Sequence, residues 1–255
     1  MTLIDTHCHL YAGEFEQDIV EVIARGVANG VAKFYLPAID STTLEAMLEL
    51  ENKFPGKCIA MTGLHPCSVK ENYKEDLKIV ENLLQKRKFA AIGETGLDFY
   101  WDKSFEKNQY DAFHQQIEWA LHYDLPIVIH SRESMQESIA FVRKHQSGKL
   151  KGIFHCFSGS LESAKEIIGL GFYLGIGGVL TYKKSSLPEV LIDIDLEFLV
   201  LETDAPYLAP VPFRGKRNES SYLVQIAKKL AEVKGVTIEE VAAITTANAQ
   251  KIFGN

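Results

Sequence analysis

The chain has 255 residues, 46% of them hydrophobic and 24% charged, with a formal net charge of −7 at pH 7. That length suits one large α/β domain or two smaller ones, and the acidic balance argues against a protein that coats nucleic acid by bulk electrostatics while leaving room for a local cationic site. No apolar run approaches the roughly 18 residues that span a bilayer, and the first residues lack a basic, signal-like start, so a cytoplasmic protein with no membrane partner is expected.

In chain order, strand-like apolar runs fall at about 3–9, 31–36, 58–64, 89–94, 126–130, 152–157, 172–178 and 197–203. Amphipathic segments lie between them, among them "FEQDIVEVIARGVANG" (15–30), "FEKNQYDAFHQQIEWALHYD" (105–124) and "ESMQESIAFVRKHQSG" (133–148), whose apolar residues recur at helical spacing. Eight strand signals separated by helices predict an α/β fold, a (β/α)8 TIM barrel forming a single domain over 1–255, with a doubly wound open sheet as the runner-up. The seventh crossover, "TYKKSSLPEVLIDID" (181–195), is short and weakly helical. The four cysteines (Cys8, Cys58, Cys67 and Cys156) fit no CxxC pattern, so reduced thiols are expected in place of a zinc finger or a disulfide framework.

The unusual polar residues gather at the C-terminal ends of these strands. In "IDTHCHL" (4–10) an extended backbone puts Asp5, His7 and His9 on one face and Cys8 on the other. His65 follows the third strand, Glu94 ends the fourth, His130 ends the fifth, His155 lies near the end of the sixth, and Glu202 and Asp204 end the eighth. That edge is where barrels of this kind carry their chemistry. Four imidazoles and two carboxylates (His7, His9, Glu94, His130, His155 and Asp204) make a nitrogen and oxygen set suited to two divalent ions. One ion would take His7, His9 and Asp204, the other His130 and His155, with Glu94 as a bridge. Ions about 3.5–4 Å apart can share a water and lower its pKa. With two dications the six groups sum to about +2, which favours an anion. Zinc, manganese, iron or nickel suit these imidazoles better than magnesium does.

The segments "IDTHCHL", "GLHP" (63–66), "AIGETGLDFY" (91–100), "LPIVIHSR" (125–132), "FHCFSGS" (154–160), "ETDAPYLAP" (202–210) and "RGKRNE" (214–219) together resemble the successive motifs of the TatD family of metal-dependent hydrolases. The resemblance runs on to "TTANAQKIFG" (245–254). It implies an amidohydrolase-like TIM barrel, two divalent metals (Zn, Mn, Mg or similar) and deoxyribonuclease activity. The family's ligands match His7, His9, Glu94, His130, His155 and Asp204, the set already drawn from the strand ends. Thr95 stands where relatives commonly carry isoleucine, which reads as a packing change.

Roles follow on that footing. Asp204 is expected to bind metal and to take the proton of the attacking water, with Glu94 beside it in the catalytic centre. Glu202 and Asp5 are expected to orient metal-bound histidines from behind. His65, Arg132, and Arg214, Lys216 and Arg217 of the "RGKR" run are expected to contact substrate phosphates, with Lys183 and Lys184 as weaker candidates. His114, His122 and His145 read as surface or packing residues, and "GIGG" (175–178) as a close backbone approach. The expected activity is exonuclease-type cleavage of DNA by a monomer. The alternatives are an ester or amide hydrolase, such as an aminoacyl-tRNA deacylase, and a non-catalytic barrel that keeps metals for stability.

Overall fold

In a computed structural model, which describes residues 1–254, eight short parallel strands alternate with helices. In order they are β1 (Leu3–Asp5), α1 (Ile19–Ala28), β2 (Val31–Leu36), α2 (Leu44–Lys53), β3 (Cys58–Ala60), α3 (Tyr73–Lys86), β4 (Ile92–Asp98) and α4 (Glu106–His122). Then come β5 (Ile127–Arg132), α5 (Met135–His145), β6 (Gly152–Phe154), α6 (Leu161–Gly169), β7 (Phe172–Ile176), α7 (Leu187–Ile192), β8 (Leu199–Leu201), α8 (Leu223–Lys234) and α9 (Ile238–Phe253). The ladders run β1-β2-β3 and β4-β5-β6-β7-β8. Two seams join them. Thr62 donates to the Ala91 carbonyl at 3.2 Å and accepts from Gly93 at 2.9 Å, while Thr6 donates to Leu201 at 3.1 Å and His9 to Ala205 at 2.7 Å. The sheet therefore closes on itself as a (β/α)8 barrel. No helix among the described residues is long and apolar enough to cross a membrane.

Alternation along each strand sorts side chains into two cores, as strands buried on both faces require. On β5, Ile127 and Ile129 face the helices and Val128 faces the barrel interior. Val128 meets Ile4, Tyr35, Met61, Ala91, Ile153 and Val200 there, in a layer drawn from the other strands and their flanks. Helix α9 closes the floor beneath this layer. Its Ala249 and Ile252 join the same cluster, and Phe253 stacks on Tyr35 with ring centroids 3.9 Å apart. The helix is stopped and started by local chemistry: Thr237 accepts from the Glu240 amide at 3.2 Å, and Gly254 ends it at φ 75°.

Strand limits differ from the sequence expectation at the functional end. β1 stops at Asp5, because the backbone beyond it bonds alternately to the β8 side through Thr6 and to Tyr35 of β2 through Cys8. β4 runs on to Asp98 and β5 to Arg132, so Glu94 and His130 lie inside their strands and not at the last residue. Gly96 allows that extension: it sits at φ 134°, and any Cβ there would collide with the His130 carbonyl. The seventh crossover is reduced to a turn of 3-10 helix at Gly178–Thr181 and the six-residue α7.

If α9 is the floor of the barrel, Ile252→Ala should cost about 2–4 kcal/mol by removing packed apolar volume. Urea unfolding of the two proteins measures it, and a loss below about 1 kcal/mol would show that the floor is not tightly packed.

Candidate metal centre

The inward positions of the strands continue upward into the mouth. Above Val128 come His130 and Arg132, above Ile153 comes His155, and above Val200 come Glu202 and Asp204, each at the spacing of two that keeps one face. β1 breaks this rule. Ile4 points inward and Asp5 outward, so His7 and His9 reach the interior only because the regular strand ends before them, at Asp5. Glu94, 2% exposed, stands at the centre. Its Oε2 lies 3.0 Å from Nε2 of His7 and 3.4 Å from Nε2 of His9, and Asp204 Oδ1 lies 3.8 and 3.6 Å from the same two atoms. Its Oε1 faces a second group: Nδ1 of His130 at 2.8 Å, and Nε2 of His155 and of His65 each at 3.3 Å. The two carboxylate oxygens thus look toward two different sets of ligands.

Hydrogen bonds behind the rings fix which nitrogen carries a proton. Tyr11 donates its hydroxyl to the Pro37 carbonyl at 2.5 Å, so its oxygen is left to accept Nδ1–H of His9 at 2.9 Å. His9 then turns a bare Nε2 lone pair toward carboxylate oxygens. His155 does the same, with Nδ1 3.1 Å from Glu202 Oε1. Lone pairs aimed at anionic oxygens, with His7 and His9 Nε2 only 3.2 Å apart, need a cation between them. The donor set therefore fits divalent metal. Without it, protons take that place. Burial opposes charge on His155, but Glu202 and Glu94 override it and push the imidazole up to about 9. Burial likewise opposes a charged Glu94, yet His65, His155 and His7 hold its carboxyl well below the usual range. Asp204 is also held low, because its bond with His9 and the charges of the nearby imidazoles outweigh its burial. His65 differs from the other rings: its Nδ1 accepts from the Cys67 amide at 3.0 Å, so Nε2–H is a donor toward Glu94.

Glu202 is fully buried, and its Oε1 also accepts from the Cys156 amide at 2.5 Å. Gly175 makes its room, since a Cβ there would overlap the Glu202 carboxylate. That is the close approach expected of "GIGG". Asp5 orients no histidine ring, contrary to expectation. It accepts from Thr203 N at 2.9 Å, Thr203 Oγ1 at 2.6 Å and Ser220 Oγ at 2.6 Å, and so pins the loop that carries Asp204.

The basic residues divide as well. Arg132 ends β5 at the rim, with its guanidinium 4.0 Å from the Tyr100 ring and 5.2 Å from the Trp101 ring. Arg214 lies over Tyr182 at 4.4 Å and is exposed, as are Lys216, Lys183 and Lys184. Arg217 is not available to substrate: Asp18 takes both of its terminal nitrogens, at 2.8 and 2.7 Å, and Phe15 lies beneath it. The "RGKR" run changes role within four residues because only its last member meets a carboxylate. His114 and His145 pair with each other on the outside at 3.0 Å.

Sequence reasoning missed Tyr11, Asp98 and Trp101. All three line or support the mouth, a cavity of about 620 Å³ bounded by His9, His65, Glu94, Asp98, Trp101 and Arg132 among others. Asp98 was recoverable, since it lies four residues after Glu94 and so shares its face on β4.

Metal uptake must displace the His155 proton, so affinity for a divalent ion should rise as pH climbs from 7 toward 9. Glu202→Gln removes the nearest charge that holds this proton, and at about pH 7.5 should reduce the protons released on metal addition by up to about one per chain. Calorimetry in buffers of different ionisation heat counts them. An unchanged count would show that Glu202 does not govern His155.

Comparison with known proteins agrees with this architecture. Residues 4–254 match the family described as TatD related DNase. The chain is 40% identical to the uncharacterized metal-dependent hydrolase YabD of Bacillus subtilis (strain 168), over 98% of each. It is 32% identical to the uncharacterized metal-dependent hydrolase YcfH of Escherichia coli (strain K12), over 99% of this chain and 96% of that one. The crystal structure of YjjV, a TatD homolog from Escherichia coli K12, superposes with a TM-score of 0.93 at 29% identity, covering 99% of this chain and 98% of that one. The phosphotriesterase homology protein of Escherichia coli, solved with phosphate in its active site, shares the fold with a TM-score of 0.72 at 16% identity over 99% of this chain and 98% of that one. The chain belongs to the TatD family and is a metal-dependent hydrolase on a (β/α)8 barrel.

Proposed function

We propose that this hydrolase is a deoxyribonuclease that cleaves phosphodiester bonds at exposed strand ends with two divalent ions. The observation that carries the reading is a cation set for an anion at the mouth: Arg132, exposed, stacked on Tyr100 and Trp101, and in no ion pair among the described residues. It lines the same cavity as Glu94, His130, His155 and Asp204. Two ions are supported by the way the Glu94 oxygens face separate ligand sets, Oε2 toward His7 and His9 and Oε1 toward His130 and His155. Zinc or manganese bound there would acidify a water and offset charge on the phosphoryl group.

The protein's own groups do the rest. Asp204, ionised and lining the cavity, accepts the proton of the attacking water. Tyr11 and Glu202 keep the lone pairs of His9 and His155 turned inward, so neither ring must reorganise during turnover. Arg132 holds a phosphate by paired N–H donors, and His65, whose one N–H points to Glu94, lines the same cavity. Trp101 and Tyr207, 67% and 51% exposed, offer faces for nucleobases beside it. Arg214, Lys216, Lys183 and Lys184 lie on the loops after β8 and β7 and would meet the backbone farther along. The four free thiols suit a reducing compartment such as the cytoplasm.

The test is metal-dependent release of nucleotides from end-labelled single-stranded and duplex DNA. Asp204→Asn should lower kcat by about 10²–10⁴-fold. Arg132→Ala should raise KM about 10–100-fold with a smaller effect on kcat. Free acid from an aminoacyl ester, with no nucleotide from DNA, would move the reading to a carbonyl ester hydrolase at the same centre. Metal-loaded protein that hydrolyses neither would support a binding role.

A further inference from the structure

Asp98 sits between two parts of the mouth and touches both. It is 1% exposed. Its Oδ2 lies 2.9 Å from Nε2 of His130, and its Oδ1 accepts from the backbone amides of Tyr100 at 3.0 Å and Trp101 at 3.1 Å. The residue is itself gripped. Gln109 of α4, also buried, accepts from the Asp98 amide at 2.9 Å and donates to its carbonyl at 3.0 Å. A buried amide side chain is thus committed to holding the backbone of one acid. The turn that Asp98 ties carries Tyr100 and Trp101, and on those rings lies Arg132, two residues beyond His130 on β5. The contacts close a circuit: His130, Asp98, the aromatic turn, Arg132, and back along the strand.

We infer that Asp98 is a positioning residue that joins the metal-facing ring of His130 to the aromatic rim that carries Arg132. The rim half of this inference rests on the reading of the mouth as a phosphate site; the His130 half stands on the donor geometry alone. A carboxylate only accepts, so Asp98 holds a proton on Nε2; Glu94 accepts at Nδ1 in the same way, and a metal bound at Nδ1 would take the place of that second proton while Asp98 kept the first. The other oxygen shapes the rim at the same time. An asparagine at 98 would separate the two tasks. Its oxygen still serves the two backbone amides, while its N–H₂ faces Nε2 and draws the ring proton to Nδ1, the wrong place for a ligand.

The test uses full-length protein and zinc as the probe. Asp98→Asn should weaken zinc binding to the metal-free protein by about 10–100-fold, with circular dichroism showing the metal-free variant still folded. Acrylamide quenching of Trp101 should also be unchanged in that variant; Trp119 is buried and contributes little. Asp98→Ala should weaken zinc binding and raise Trp101 quenching together. In zinc-loaded wild type, ¹⁵N spectra should place the His130 proton on Nε2, a reading that survives even if a variant fails to fold. Wild-type zinc affinity in Asp98→Asn, wild-type quenching in Asp98→Ala, or a proton on Nδ1 would each overturn the proposal. No substrate enters these readouts, so if all three hold while DNA stays intact, the nuclease reading fails and the His130 half of this one stands.

Discussion

A single buried carboxylate surrounded by imidazoles is the constraint on which the mouth of this barrel depends. Glu94 has almost no access to water, yet five histidine rings face its two oxygens at 2.8 to 3.4 Å. An ionised acid in such a place is costly unless cations or donors surround it. Four of the five rings are in turn ordered by groups farther out: Tyr11 and Pro37 behind His9, Glu202 behind His155, Asp98 behind His130, and the Cys67 amide behind His65, whereas Nδ1 of His7 has no such partner among the described residues. Each outer partner settles a proton, and the settled protons decide which nitrogens are free for metal. The centre is therefore built from the outside inward.

The barrel makes this possible through regularity and through one lapse from it. Alternating positions on β5, β6 and β8 stack ligands above an apolar layer. At the β1 seam the regular ladder stops, and the backbone shares its bonds between β8 and β2. That irregular stretch presents His7 and His9 inward while Asp5 turns outward to anchor the loop bearing Asp204. Asp204 itself sits at φ 56°, a conformation that a non-glycine residue adopts only when its surroundings insist. The pinning of Thr203 by Asp5 supplies that insistence one residue earlier.

Much of this was legible in the residues. The (β/α)8 order followed from eight apolar runs, and the six candidate ligands, which the fold gathers around Glu94, were picked out by their places at the strand ends together with the resemblance to the TatD family. What could not be read was the direction of side chains where strands become loops. Asp5 was grouped with His7 and His9 by a period of two that the chain abandons after Asp5. Arg217 was counted with Arg214 and Lys216 because a run of cations looks uniform in one dimension, whereas Asp18, 199 residues away in sequence, takes only the last of them. Asp98 and Tyr11 were overlooked for a related reason. A residue that acts by holding a histidine leaves no mark unless the histidine's orientation is known.

The floor of the barrel carries a consequence for how the protein is made. The candidate ligands are spread from residue 7 to residue 204, but the apolar layer beneath them is sealed by Ala249, Ile252 and Phe253 of α9. During synthesis the emerging chain can form successive βα units, yet none of them can finish burying its interior side chains until residue 253 has left the ribosome. A chain interrupted shortly before that point holds every candidate ligand and lacks the base on which they stand. Loss of α9 would thus leave the interior apolar layer uncovered on its lower side, a surface of the kind that chaperones and proteases act on.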